Sequence, residues 1–197
     1  MNPMDNRAER KLISSIKRGD VRAFDLIFHQ YRARIYSYLV RLSRNREVAE
    51  NLSQEVWLRL VTKTPDLIEG QSPAQWLFAV ARNLFYSHLR KNRTRSAIIR
   101  INRMILIPKG PQSPFEKAAS SEQEARLERA LANLPLKYRE IILLVLLDGM
   151  NTREAAAVCG IRYSAARTRL SRAKALLKRE IGKIDINEEK TYGHVIE

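Results

Sequence analysis

The chain has 197 residues, 45% of them hydrophobic, with 36 Lys and Arg against 21 Asp and Glu and a formal net charge of +15. That is enough apolar material for one large or two small packed domains, which argues against wholesale disorder, and the charge calls for a polyanion, nucleic acid before an anionic membrane surface. The single cysteine, Cys159, excludes an internal disulfide and a multi-cysteine zinc site, and His29, His88 and His194 lack ligand spacing, so neither metal nor cofactor is expected.

The stretch Met1–Lys11 is polar and charged, with no apolar signal core. Phe24, Ile27, Phe28, Tyr31, Ile35, Tyr38 and Leu42 then recur at helical spacing, which predicts an amphipathic helix. Ala49, Leu52, Val56, Trp57 and Leu60 predict a second, and Leu77, Val80, Ala81 and Leu84 a third. Pro65, Gly70 and Pro73 mark a loop between the last two. Three such stripes bury themselves only against one another, so residues 8–95 are read as one helical bundle. Pro108, Gly110, Pro111 and Pro114 signal a flexible linker over 96–121.

Beyond the linker, Ser121 with Glu124 has the spacing of a capping box that opens a helix. Pro135 interrupts, and Leu136–Leu147 reads as a buried helix stopped by Asp148-Gly149. It holds the longest apolar run, Ile141–Leu147, far short of the ~18 residues of a membrane span. The protein is therefore read as cytoplasmic. Asn151 with Glu154 offers another capping box, followed by a short Ala-rich helix, the pair Cys159-Gly160 and a long basic helix over Tyr163–Arg179. Cys159 is read as a small buried hydrophobe at the turn. Short helix, glycine turn and longer basic helix make a helix-turn-helix, so 122–182 is read as a DNA-binding domain. The tail, 183–197, has no assigned role. The expected architecture is all-α: two small helical domains joined by a flexible linker, the second a helix-turn-helix domain.

Two windows contain no acidic residue: Gly70–Phe115, with eight basic residues, and Ala155–Arg179, with seven. In the second, Arg162, Ser164, Arg167 and Thr168 stand at or near the start of the recognition helix, where side chains reach base edges. Arg169, Arg172 and Lys174 follow, and can meet phosphates on either side. Arginine binds the guanine O6 and N7 through two hydrogen bonds, which a lysine point charge does less well. A solvated basic face is the alternative, and the absence of any acid weakens it. In the first window, Arg82, Asn83, Tyr86, Arg90 and Arg93 share one helix face, with Lys91 beside them. Cations for phosphate, a ring for stacking and an amide for a base edge suit single-stranded DNA. Trp76 and Phe85 are read first as core and second as stacking platforms. Glu50, Gln54, Glu55 and Arg59 form a polar face on the second helix that, taken alone, reads as solvated. No nucleophile elbow, phosphate-binding glycine loop or carboxylate cluster is present, so the chain is not read as an enzyme.

These segments resemble the extracytoplasmic-function group of bacterial sigma factors. Ala23-Phe24 to Tyr31 matches the aromatic first helix, and Ala49-Glu50-Asn51-Leu52-Ser53-Gln54-Glu55 the pattern A-E-D-L-x-Q-E. Trp76-Leu77-Phe78-Ala79-Val80-Ala81-Arg82-Asn83 matches W-L-x-x-I-A-R-N. In the second half, Leu134-Pro135 with Arg139-Glu140, Glu154 with Ala156, and Thr168-Arg169-Leu170-Ser171-Arg172-Ala173 match L-P-x-x-x-R-E, E-x-A and S-R-L-x-R-A. The resemblance spans residues 9–182. It implies that Glu50, Asn51, Gln54, Glu55 and Arg59 meet the clamp helices of the core RNA polymerase β′ subunit. It further implies that the first domain opens the −10 element, that the second reads the duplex −35 element, and that an anti-sigma factor regulates the chain. Ser87 stands where the family often has Asp, and Ser164-Ala165-Ala166 where it often has Gly-Thr-Val, so the −35 sequence is not carried over. A stand-alone helix-turn-helix regulator would leave the first acid-free window unexplained. A sigma mimic that sequesters an anti-sigma factor would lack the two basic faces, and a nucleic-acid-modifying enzyme would need a metal or nucleophile constellation.

Overall fold

The computed structural model describes residues 6–64, 72–100 and 122–193, with side chains at 6, 93–100 and 184–193 left aside. Among these residues the regular elements are helical and none is a strand: α1 (Asn6–Lys17), α2 (Val21–Ser43), α3 (Arg46–Thr62), α4 (Pro73–Arg100), α5 (Glu122–Asn133), α6 (Leu136–Ile142), a π-helical turn (Leu143–Leu147), α7 (Thr152–Cys159) and α8 (Tyr163–Gly193). The chain divides into two compact units, residues 1–39 with 46–110, and residues 40–45 with 111–197.

In the first unit, the three stripes predicted from spacing are α2, α3 and α4. Ile27, Ile35, Leu39, Val56, Leu60, Leu77, Phe78 and Ala81 are buried, and Tyr38 meets Phe78 edge-on at 5.2 Å between centroids. Phe24 and Phe28 of α2 lean on Trp57 of α3 at 6.5 and 5.0 Å. Pro73 opens α4 from the first turn, where it forfeits no helical hydrogen bond. The Gln75 amide donates to Ser72 Oγ at 3.1 Å and closes that turn. The proline-rich loop expected before α4 falls on 65–71, outside the described residues.

Helix α1 was not expected. Its Ile13 and Ile16 are buried, and its Glu9, also buried, accepts a hydrogen bond from Tyr31 Oη at 2.8 Å and another from the Gln30 amide. Burial, then the adjacent Glu9, pushes the Tyr31 phenol well above its ordinary pKa. It therefore stays a hydrogen-bond donor.

In the second unit, α8 packs against α5, α6 and α7. Ala166, Ala173 and Leu177 of α8 face inward, toward a core that includes Leu131, Ile141, Leu144, Ala155 and Val158. Leu136–Leu147 is continuous helix, but its second half widens into the π turn before Gly149, whose φ of +69° ends it. Position 121 lies outside the described residues, and α5 starts one residue later. The long basic helix runs to Gly193 rather than ending near Arg179; no proline interrupts the chain there. Helix α4 runs to Arg100, into the stretch expected as linker, and 101–121 lie outside the described residues.

Candidate nucleic-acid interface

The turn that aims α8 is built from local rules. Asn151 caps α7: its Oδ1 accepts from the amides of Arg153 and Glu154 at 3.0 Å, and Glu154 accepts from the Asn151 amide at 2.9 Å. Such a reciprocal box satisfies amides that the first helical turn leaves orphaned. At the other end Gly160 takes φ +65° and ψ +37°, a left-handed conformation that glycine adopts without the Cβ penalty. Cys159 is buried there.

From α8, Ser164, Arg167, Thr168 and Arg172 project outward together with Ser171, and the five line an open groove of about 470 Å³. All are exposed, as is Arg162 just before the helix. Arg169 differs from the expectation. One turn beyond Ala165, it points toward α6 and reaches Glu140, a fully buried carboxylate, at 3.8 Å. A buried charge without a partner is costly, so this arginine is held by the fold. Arg139, beside Glu140, is buried too. It donates to the carbonyls of Ala132 at 2.7 Å and Leu134 at 3.0 Å, tying down the end of α5. Burial lowers its pKa to about 10, still far above neutrality. Of the three residues Ser164-Ala165-Ala166, only the first two face outward. Ala166 is fully buried, so the third departure from the family pattern is one of packing.

On α4, Asn83, Arg90 and Lys91 are exposed, whereas Arg82 and Tyr86 are half-buried. The Arg82 guanidinium lies 4.5 Å from the Tyr86 ring centroid, which fixes both on one face. Arg90 donates to Ser87 Oγ at 2.9 Å. Arg93 sits on the same helix, with its side chain outside the described residues. Phe85 is buried and joins the core, while Trp76 is half-buried.

On α3 the five predicted residues divide. Glu50 and Gln54 border a cleft of about 450 Å³ whose floor is Phe28 and Tyr36 of α2 with Trp57 and Ser53. Asn51 is exposed next to them. Glu55 and Arg59 lie on the other flank and pair with each other at 3.1 Å. The stripe of Glu50 and Gln54 continues into Leu58 and Val61, 56% and 57% exposed. These two apolar residues escaped the sequence reading, although their i+4 and i+7 spacing from Gln54 marks the same face.

Comparison with known proteins follows the same division. A model of Sigma-70 region 2 matches residues 27–95, and a model of Sigma-70, region 4 matches 124–177. The sigma factor EcfG of Rhodopseudomonas palustris, an extracytoplasmic-function RNA polymerase sigma factor, is 30% identical over 148 residues, covering 72% of this chain and 75% of its own. SigC of Mycobacterium tuberculosis is 29% identical over 173 residues, 88% and 91% of the two chains. Among solved structures, the sigma factor RpoE from Bartonella quintana, in complex with the anti-sigma factor NepR, superposes with a TM-score of 0.66 at 26% identity. That match covers 82% of this chain and 98% of RpoE. CnrH, in complex with the cytosolic domain of CnrY, gives 0.66 at 21% identity, 89% and 98% of the two chains, a likeness of fold. No described helix is long and apolar enough to cross a membrane.

Proposed function

Because this chain belongs to the extracytoplasmic-function family of bacterial RNA polymerase sigma factors, we propose that its two units divide the tasks of promoter recognition as follows. The protein binds core RNA polymerase and directs it to promoters for initiation. Residues 8–95 bind the polymerase and open the −10 element, and 122–182 read the −35 duplex. On α3, the polymerase β′ clamp helices meet Glu50, Asn51 and Gln54, with the apolar cleft over Phe28 and Trp57 and the exposed Leu58 as anchors. Desolvated aromatic and aliphatic anchors ringed by polar groups are where interface energy concentrates. Glu55 and Arg59, already paired, shape the rim.

On α4, Arg82, Tyr86, Arg90, Lys91 and Arg93 hold the separated strand and Asn83 reads a base. On α8, Arg167, with Ser164 and Thr168, reads base edges, while Arg162 and Arg172 hold phosphates. Arg169 contributes through Glu140. The protein acts by binding, RNA synthesis being the work of the polymerase, and its place is the cytoplasm. Residues 183–197 are not given a task. An anti-sigma factor regulates it, as the complex of RpoE with NepR suggests for a relative of 26% identity.

The observation that carries this reading is the outward face of α8 over Tyr163–Arg179, basic and free of acid, presented by a capped helix and a left-handed glycine turn. The experiment is retention of labelled promoter DNA by the chain alone and with core polymerase. Retention that requires polymerase is expected. Equal retention by the chain alone would instead indicate a stand-alone helix-turn-helix regulator.

A further inference from the structure

Helix α8 does not present its outward face alone. With about 100° per residue, Ser164, Thr168 and Ser171 lie at the centre of that face, opposite buried Ala166 and Ala173. Ala165 and Arg169 turn to one side, toward α6, and Tyr163 turns to the other, toward α7. Each side carries a cation seated on a tyrosine. Toward α6, Lys137 Nζ stands 5.0 Å from the Tyr138 ring centroid. Both residues line a groove of about 440 Å³ whose far wall is Ser164, Thr168 and Arg172 of α8. Toward α7, the Arg153 guanidinium stands 5.5 Å from the centroid of Tyr163, a ring 47% exposed at the first residue of α8.

Arg153 also breaks a local rule. It occupies the first turn of α7, beside the capping box, where the helix dipole favours acids and disfavours cations. A residue that costs its own helix stability is expected where function requires it. Lys137 is placed similarly, second in α6. Seating each cation on a ring restricts a side chain that otherwise loses much rotamer freedom on binding.

We infer that Lys137 with Tyr138 and Arg153 with Tyr163 are two phosphate clamps, one on each bank of the major groove that α8 enters, which set the depth and register of the helix without reading sequence. The inference rests on the −35 reading given above. Phosphate contacts position a protein on duplex DNA, whereas base-edge contacts specify where it binds. A helix flanked by cations from two other helices meets both strands at once, so a tilt toward either one loses a clamp. Arg167 and Thr168, between them, then reach the base edges at a fixed height.

The test uses the full chain assembled with core polymerase, and measures complex formation on a selected promoter and on one with a scrambled −35 element, across a salt titration. Lys137→Gln and Arg153→Gln each lower affinity for both templates by the same factor. Each also makes the log–log salt slope shallower by about 0.9, the release of counterion from one phosphate. Between 50 and 200 mM salt that removes about a 3.5-fold share of the wild-type loss. Tyr163→Phe keeps the ring and the wild-type slope, whereas Tyr163→Leu follows Arg153→Gln. The three substituted residues, Lys137, Arg153 and Tyr163, are exposed, and a wild-type melting midpoint in each variant confirms that the slope reports contact rather than folding. A wild-type slope in Lys137→Gln or Arg153→Gln overturns that clamp, and so does loss confined to the selected promoter, which would mean base reading. Wild-type holoenzyme that fails to distinguish the two templates refutes the −35 reading itself, an outcome visible before any variant is made.

Discussion

Arg169 separates what holds the helix-turn-helix from what reads DNA. Its side chain, 23% exposed, pairs at 3.8 Å with a Glu140 side chain that is fully buried. Truncating one member of a buried pair costs about 3–5 kcal/mol, mainly because the other charge stays buried without it. Arg169 keeps one side to water and Glu140 has a further interaction, which places Arg169→Ala at or just below the bottom of that range, about 2–3 kcal/mol. For a unit of this size each kcal/mol moves the melting midpoint by about 4–8 °C, so the shift is about 8–24 °C. Arg167→Ala, which removes an exposed side chain, stays within about 0.5 kcal/mol of wild type. Thermal and urea unfolding followed by circular dichroism compare the two, with Arg169→Met plus Glu140→Gln as the variant that removes both charges and recovers most of the loss. If Arg169→Ala melts like wild type and instead changes the selected −35 sequence, the side chain reads DNA and the pairing with Glu140 is incidental. Arg167→Ala, by contrast, relaxes preference at one or two −35 positions, at about 1–3 kcal/mol of discrimination.

Three further outcomes follow from the first unit. Tyr31→Phe removes the hydroxyl that donates to buried Glu9, and unfolding by urea registers a loss of about 1.5–3 kcal/mol, the range for hydrogen bonds to charged groups. Asn83→Ala slows open-complex formation on duplex promoters and matters less on a pre-melted bubble, since a flipped base needs a pocket to offset a few kcal/mol of unstacking; equal loss on both templates refutes the assignment. Glu50→Lys with Gln54→Ala weakens binding to core polymerase in a titration at least tenfold while leaving the melting midpoint in place, because a reversed charge at an interface opposes its partner. Glu55→Lys alone, which touches the other flank of α3, weakens it less.

The sequence carried the architecture wherever burial is periodic. Helices α2, α3 and α4 each keep an apolar stripe at helical spacing, and the start of α7 and its turn into α8 are spelled by Asn151 with Glu154 and by Gly160. Helix α1 was missed although Leu12, Ile13 and Ile16 stand at helical spacing; what no local pattern reports is its key polar contact, Glu9 buried against Tyr31, 22 residues away. The site divides the same way. Spacing brought Ser164, Arg167, Thr168 and Arg172 to one face, but Arg169, in the same basic run, is claimed by Glu140 on α6. A run of charge does not tell which cation has a buried carboxylate behind it. Glu55 and Arg59 show the converse: their i, i+4 spacing predicts the mutual pair that forms, yet a shared polar stretch was read as one face with Glu50 and Gln54.

On the proposed function, this chain gives core polymerase its promoter choice, with α4 and α8 contacting two separated DNA elements. In-vitro transcription of a fragmented genomic library, with purified core polymerase and the full chain, measures it directly when the 5′ ends of the transcripts are sequenced. Discrete start sites absent with core alone are expected, preceded by two common elements at −10 and −35, the second altered by Arg167→Ala. Transcripts no different from those of core polymerase alone would contradict it.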